Sequence, residues 1–263
     1  HRARDVHPGE IVVLEVRPSE DPLTLSASAF GKSLRFFRSG SDDAWVALLG
    51  IDLTTEPGSY DVSVHATAEN GNIVRKSYML SVGQKDFPTR RLTVDPSFVS
   101  PPASVIERIQ REARQLDEIF TTASDVRLWS GGFLRPVPGD STSSFGRRSV
   151  FNGQPRSPHS GTDFRAAEGT SIKAPNAGMV VLAADLYFSG NVVIIDHGWG
   201  LYSYFAHLSS IAVEEGVRVE QGDVVGDVGA TGRVTGPHLH WTVRLNDARV
   251  DPLSLMQLFP QAQ

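Results

Sequence analysis

The sequence predicts a mainly β protein, with an N-terminal antiparallel β-sandwich over 1–98, a connecting amphipathic helix within a linker over 99–130, and a C-terminal glycine-rich antiparallel β domain over 131–263. Three observations predict it. Short apolar or alternating runs separated by turn residues fill the first part. One later segment has a helical period. Beyond it the chain is again strand-like but much richer in glycine, since seventeen of the 24 glycines lie between 131 and 236, which implies many tight turns and close backbone approaches. A length of 263 residues fits two domains at roughly 150 residues each.

In the first part the expected strands are Ile11 to Val16, Leu34 to Phe37, Trp45 to Ile51, Tyr60 to Ala66 and Ile73 to Val82. Pro8-Gly9 and Pro57-Gly58 punctuate them, and Asn70-Gly71 suits the positive backbone angles of a hairpin turn between the last two. Strands this short and this regularly spaced point to a small sandwich of immunoglobulin-like architecture. Pro96, Pro101 and Pro102 mark its end. Ser104-Val-Ile-Glu107 has the form of a capping box, and Val105, Ile109, Ala113, Leu116 and Phe120 follow at helical spacing, giving a helix over about 104–122 that stops at Thr121-Thr122. In the last part the strands are Gly178 to Ala184, Asn191 to Asp196, Leu201 to Phe205, Val224 to Val228 and Leu239 to Leu245.

Composition narrows the chemistry. The chain has no cysteine and eight histidines, so disulfides, thiolate metal sites and cysteine nucleophiles are excluded, and any metal must sit on His, Asp or Glu. A formal charge of −5 gives no field to hold a polyphosphate, so nucleic acid is not an expected partner. No apolar run is long enough to span a membrane, and no signal-peptide pattern opens the chain. Because residue 1 is His, a processed or trimmed chain is expected.

Five histidines fall in the glycine-rich part. His159-Ser-Gly-Thr-Asp163 sets an imidazole and a carboxylate four residues apart, and His238-Leu-His240 sets two imidazoles at a spacing that, on a strand, shares one face. Together they contain the three ligands of a catalytic zinc ion. Taken singly, each motif is more often a surface pair or a packed histidine; their joint occurrence in one glycine-rich β domain is the signal. His207, in Tyr204-Phe-Ala-His-Leu208, is a further imidazole without a sequence neighbour to explain it.

Residues 131–256 resemble the catalytic domain of the lysostaphin/LytM-type zinc peptidases, peptidase family M23, which act on bacterial cell-wall peptides. The resemblance runs through Ser143-Ser-Phe-Gly-Arg147, His159-Ser-Gly-Thr-Asp163-Phe, Gly169-Thr-Ser-Ile-Lys-Ala-Pro175 and Gly190-Asn-Val-Val-Ile-Ile-Asp-His-Gly198. It continues through Tyr204-Phe-Ala-His-Leu208, Gly226-Asp-Val-Gly-Ala-Thr-Gly232 and Gly236-Pro-His-Leu-His240. It implies a zinc ion, Zn2+, on His159, Asp163 and His240, with His238 and His207 as the catalytic imidazoles that handle the water proton or stabilise the tetrahedral intermediate. It further implies peptidoglycan peptides as substrate and an exported, periplasmic or extracellular place at the cell wall. The first part resembles the immunoglobulin-like domain ahead of some exported members.

One departure stands out: Phe205 occupies the position, two residues before His207, where the family often has tyrosine, so a phenolic hydrogen bond is either missing or supplied by Tyr202 or Tyr204. His1, His7, His65 and His197 read as bystanders. Family members that have lost ligands regulate separate wall amidases, which makes a non-catalytic regulator the alternative to a peptidoglycan endopeptidase; a structural or carbohydrate-binding module is the third reading. The polar loop from Phe145 to Pro158 reads as a groove wall or, through Asn152, as an occluding fourth ligand. The sandwich reads equally as a cover, a wall-targeting module or a spacer. Spacing does not distinguish a glycine bridge from a D-alanyl cross-link, and the oligomeric state is left open.

Overall fold

The computed structural model describes residues 1–38, 44–93, 100–142 and 145–261, which form two compact units, His1–Lys85 and Asp86–Gln263. The expected boundary after residue 98, Pro96, and the Ser143-Ser144 start of one motif lie outside the described residues.

In the first unit, β1 (Arg2–Ala3), β2 (Ile11–Val16), β5 (Phe37–Arg38) and β6 (Trp45–Gly50) form one sheet in the order β1-β2-β6-β5. A second sheet runs β4 (Lys32–Arg35), β3 (Thr24–Ala29), β7 (Gly58–Thr67), β8 (Ile73–Val82). Every pairing is antiparallel. Val12, Leu14, Ala47 and Leu49 of one sheet and Ala27, Ala29, Val62 and Leu80 of the other bury into one core. β2 and β8 have the bounds the alternation predicts. β3 escapes that reading because its run Thr-Leu-Ser-Ala-Ser-Ala has little intrinsic strand preference; pairing between β4 and β7 creates it. At Asn70-Gly71 only Gly71 has a positive φ, +82°. The Gly71 N–H donates to the Ala68 carbonyl and that of Ala68 to Asn72, so the hairpin is a type I turn closed by a left-handed glycine.

The second unit begins with β9 (Thr89–Leu92) and α1 (Ala103–Thr121). The capping box does not form. Pro102 is the N-cap, without a side-chain cap, and its carbonyl accepts from Val105, closing the first turn upstream of Ser104. Ala113 is exposed. Phe120 is the buried residue of the helix, packed with Leu182, Ile194, Tyr202 and Tyr204, while Leu116 and Ile119 cover the rim of that cluster. The predicted stop holds: Thr121 and Thr122 hydroxyls donate to the carbonyls of Asp117 and Glu118.

β10 (Arg148–Phe151) and β11 (Gln154–Arg156) form a hairpin onto which β9 adds, and β9 and β10 run parallel, a departure from the all-antiparallel expectation. A nine-stranded antiparallel sheet follows, built from β12 (Thr162–Phe164), β13 (Ser171–Lys173), β14 (Gly178–Leu186), β15 (Gly190–Gly198), β16 (Leu201–Ile211), β17 (Arg218–Val219), β18 (Val224–Val228), β19 (Leu239–Leu245) and β20 (Ala248–Val250). Its main order is β12-β19-β16-β15-β14-β17, with β13, β18 and β20 pairing off that path. α2 (Pro252–Leu258) closes the unit, N-capped by Asp251, whose carboxylate also accepts from the Thr162 hydroxyl. Among the described residues no helix is long and apolar enough to cross a membrane.

His197 is built into this core as a bystander. It is fully buried, its Nδ1 lies 2.8 Å from the Ala177 carbonyl and its Nε2 2.9 Å from the Ser203 hydroxyl. A carbonyl only accepts, so Nδ1 carries the proton and Nε2 accepts from Ser203. Burial pushes the pKa down from 6.5 to about 4, against the pull of the Ala177 carbonyl. The unfolded chain therefore binds the extra proton first, and the stability that neutral His197 supports is complete above pH 6.5 and lost as pH falls toward 4. At about 1.4 kcal/mol per unit the loss is on the order of 3 kcal/mol. His207 and His240 are shifted in the same direction and add to it. Urea unfolding of the metal-free protein at pH 7 and pH 4.5 is expected to show that fall, and a flat profile across this window would refute the burial argument.

Candidate metal centre

β19 carries the site because of its alternation. Leu239, Trp241, Val243 and Leu245 point into the core and are essentially inaccessible. His238, His240, Thr242 and Arg244 take the opposite parity and line an open groove of about 780 Å³. Asp163 of β12 stands directly across from His240 in the antiparallel register, so carboxylate and imidazole share that face. His159 precedes β12, held by two backbone bonds: its N–H donates to Arg147 and its carbonyl accepts from Gly146. The motif's glycine is required by space. A Cβ on Gly161 would stand 2.5 Å from the Trp241 carbonyl oxygen and 2.8 Å from Cε1 of His240.

His159, Asp163 and His240 each present one ligand atom, and those atoms lie within 4.8 Å of one another, a group that could hold a metal ion. Asp163 Oδ1 is 3.1 Å from His159 Nε2 and 3.0 Å from His240 Nδ1. Atoms about 2.0–2.1 Å from a tetrahedral ion stand roughly 3.3–3.4 Å apart, so each of the two imidazole nitrogens needs to move from Asp163 Oδ1 by only a few tenths of an ångström. The donor set of two imidazole nitrogens and a carboxylate oxygen, with no thiol, suits zinc. Burial alone would raise the Asp163 pKa, but the hydrogen bonds and charges of His159 and His240 outweigh it and hold the carboxyl well below its usual range. Burial lowers the pKa of His240, opposed by its bond to Asp163 and reinforced by His159 and His238. The remaining nitrogen of His240, Nε2, is 2.9 Å from the Thr242 hydroxyl, which fixes the ring plane.

The two other imidazoles stand beside this group. His238 Nε2 is 3.7 Å from Asp163 Oδ1, and the His207 ring centroid lies 5.3 Å from that of His238 and 5.9 Å from that of His240. His238 Nδ1 is 2.8 Å from the Gly236 carbonyl and His207 Nδ1 is 2.9 Å from the Thr231 carbonyl. Both Nδ1 atoms must therefore be donors, which leaves both Nε2 atoms as acceptors in the neutral rings. Burial first, then the charges of His240 and His238, push the His207 pKa down to about 3 against the Thr231 bond.

His207 reaches the groove through an irregularity that the sequence pattern does not announce. β16 pairs with β19 up to Ala206 and with β18 from Leu208 onward, and between them His207 has a φ of +67°. A β-branched or bulky residue rarely adopts this conformation, and a bulge of this kind re-aims a side chain. Thr231 secures it: its hydroxyl donates to the Leu208 carbonyl and accepts from the Asn191 N–H, while its carbonyl takes His207. Gly190 is glycine because Thr231 packs on it, 2.2 Å from where a Cβ would be. Phe205 is in the core, stacked on Trp241 at 6.2 Å. Neither tyrosine supplies its missing hydroxyl to His207. The Tyr202 hydroxyl donates to the Thr122 carbonyl, and Tyr204, pushed up to about 12 by burial, is bonded to Ser189.

The Phe145–Pro158 segment is a groove wall, since Arg147, Ser149, Phe151 and Arg156 of it line the groove. Asn152 sits at the hairpin turn with a φ of +50° and borders a separate concavity. His1, His7 and His65 lie in the first unit, against Tyr78, on Asp5 and exposed on β7 respectively. The sequence reading missed Thr231 and Thr242; position 242, the next residue of His240's parity on β19, was the available signal.

An antiparallel β domain whose sheet face carries a His-Asp-His group able to hold a metal ion, beside two further imidazoles in an open groove, defines the class. The profile of "Peptidase family M23" matches residues 157–252. A crystal structure of an M23-family protein from Pseudomonas aeruginosa is 35% identical, covers 97% of this chain and 96% of its own, and superposes with a TM-score of 0.76. This chain belongs to peptidase family M23. It is also 40% identical over 103 residues to the "DD-carboxypeptidase/endopeptidase Mpg" of Neisseria meningitidis serogroup B, which covers 39% of this chain and 24% of that protein. With the "Peptidoglycan DD-endopeptidase ShyA" of Vibrio cholerae it shares 44% identity over 84 residues, 32% of this chain and 20% of that one. The matched region thus spans about a quarter or less of these curated relatives' length.

Proposed function

We propose that this chain is a zinc-dependent endopeptidase that hydrolyses peptide bonds in the cross-links or stem peptides of bacterial peptidoglycan, exported to the periplasm or cell surface. The observation that carries this reading is the convergence of His159 Nε2, Asp163 Oδ1 and His240 Nδ1 in an open groove. The peptidoglycan DD-endopeptidase names of its relatives supply the substrate.

His159, Asp163 and His240 would hold the ion. A bound zinc ion would supply Lewis acidity, lowering the pKa of water from about 15.7 toward about 7 and polarising the scissile carbonyl. His207 and His238, with their Nδ1 protons tied to backbone carbonyls, offer Nε2 lone pairs that orient the attacking water and accept its proton. Once protonated, either ring donates from Nε2 to the leaving amine. Asp163, the one anionic residue of the three, would leave a bound ion with net positive charge, suited to a negatively charged oxygen beside it.

Thr242 supports this arrangement from behind. When His240 Nδ1 faces the ion, its Nε2–H donates to the Thr242 hydroxyl. Thr242→Val keeps the shape and removes that acceptor, and is expected to weaken zinc affinity about 10- to 100-fold, the usual cost of losing such a partner. Competition with a chelating dye measures it, and unchanged affinity would remove Thr242 from the account.

The reading itself is tested by digesting purified peptidoglycan of defined cross-link types with the zinc-loaded chain and identifying released peptides by mass. New amino and carboxyl ends at a stem or cross-link bond support an endopeptidase. Binding of zinc without any released peptide, together with stimulation of a separate amidase, would instead establish a regulator.

A further inference from the structure

We infer that Phe87 is a positioning residue for His159, acting through the backbone of Gly146 and Arg147, and that β9, the strand it introduces, is thereby part of the metal centre. The inference rests on the reading of His159 as a metal ligand and deepens it, because Phe87 and β9 lie outside the residues 157–252 that match the family.

His159 stands where the β10–β11 hairpin closes. The chain runs out along β10, turns at Asn152-Gly153 and returns along β11. Its two ends are then joined by a pair of backbone bonds, in which the His159 N–H donates to the Arg147 carbonyl at 3.0 Å and the His159 carbonyl accepts from the Gly146 N–H at 2.8 Å. The place of His159 therefore follows that of Gly146 and Arg147. A two-stranded hairpin is at best marginally stable in water, and a third strand is what makes such a unit hold. β9 is that strand. It runs parallel to β10, Thr89 beside Arg148 and Arg90 beside Ser149, and Arg90 Nε donates to the Ser149 hydroxyl at 3.1 Å. Just before it, the Pro88 carbonyl accepts from the Arg148 N–H at 3.0 Å.

Phe87 fixes the start of this addition. Its ring lies over Gly146, where a Cβ would stand 2.1 Å from two of the ring carbons, and meets Phe145 edge-on with 6.3 Å between centroids. Phe145 and Gly146 are buried, and Gly146 has a φ of +73°, so both its conformation and the ring above it call for glycine. Ring, glycine and imidazole form one relay. Phe87 seats Gly146, the Gly146 N–H holds the His159 carbonyl, and His159 Nε2 stands 3.1 Å from Asp163 Oδ1. A site of this kind works only while its supporting shell holds each group within about 0.5 Å of its productive place. For His159 that shell includes a ring more than seventy residues upstream in the chain.

The test is made on the full chain with Phe87→Ala, Gly146→Ala and the two combined. Affinity for Zn2+, measured by competition with a chelating dye, is expected to fall about tenfold in Phe87→Ala, the lower end of the cost of losing an outer support of a metal ligand. Gly146→Ala should weaken zinc as well. The combined variant should lose less than the product of the two single effects, because removing the ring clears the space that the new Cβ needs. A readout without metal separates local placement from general stability. In the metal-free chain, amide hydrogen exchange followed by NMR should speed up in Phe87→Ala at least about tenfold more at Gly146 and His159 than along β19. Ile172→Val, at a buried position of β13 outside the groove lining, should lower thermal stability while leaving zinc affinity unchanged. Zinc bound by Phe87→Ala as tightly as by the wild type, independent effects in the combined variant, or unaltered exchange at the two amides would each overturn the inference and leave the metal reading standing. Faster exchange at the two amides in a chain that binds no zinc would instead keep Phe87 as the residue that positions His159 and remove the metal reading.

Discussion

His240→Ala is expected to lose both zinc and all measurable peptidoglycan hydrolysis. The substitution deletes Nδ1, one of three donor atoms already spaced for a single ion, and leaves His159 and Asp163 with only two. Loss of an outer partner of a metal ligand costs 10- to 100-fold in affinity, so loss of the ligand itself should exceed about 100-fold. Without the ion, water keeps its ordinary acidity and the carbonyl is not polarised, so turnover should fall by on the order of 10⁴-fold or more. The fold should survive. The core of β19 is made by Leu239, Trp241 and Val243 on the opposite face, and Asp163 keeps its bond to His159. Metal analysis after gel filtration, beside a circular dichroism spectrum, separates metal loss from unfolding. A folded variant that retains one equivalent of zinc would remove His240 from the ligand set.

His238→Ala and His207→Ala should behave differently, each retaining zinc while losing about 10²- to 10⁴-fold in kcat, the range for a positioned acid or base. Neither ring bonds to the carboxylate as His159 and His240 do; the nearest approach is His238 Nε2 at 3.7 Å from Asp163. Their Nδ1 atoms are tied to Gly236 and Thr231, which leaves Nε2 for the water proton. Removing both should cost far less than the product of the single effects, because they share one proton inventory. Loss of zinc on His238→Ala would exchange its role with that of His240.

The grouping of His159, Asp163 and His240 was legible because these residues lie in short contiguous motifs. His159 through Asp163 is a short irregular stretch running into β12, and His238-Leu-His240 leads into a strand whose parity, core side apolar and groove side polar, can be counted. Strands β2, β8, β18 and β19 were legible for the same reason. What escaped was set by tertiary contact. β3 is a Ser/Ala run made into a strand by its neighbours, β9 joins β10 in parallel across a long sequence gap, and the helix starts on Pro102 instead of Ser104. Within the site, the left-handed bulge at His207, the Thr231 brace and the arginine-lined wall all depend on distant segments meeting. The departure at Phe205 was visible but its meaning was not: the ring belongs to the core with Trp241.

The most direct test of the account is the metal dependence of hydrolysis. Peptidoglycan digestion by the purified chain is followed after exhaustive chelation and again after one equivalent of zinc is returned. The account predicts that released peptide falls to background and recovers with the single equivalent in the wild type, and does not recover in His240→Ala. Undiminished release of peptide from fully chelated protein would contradict it.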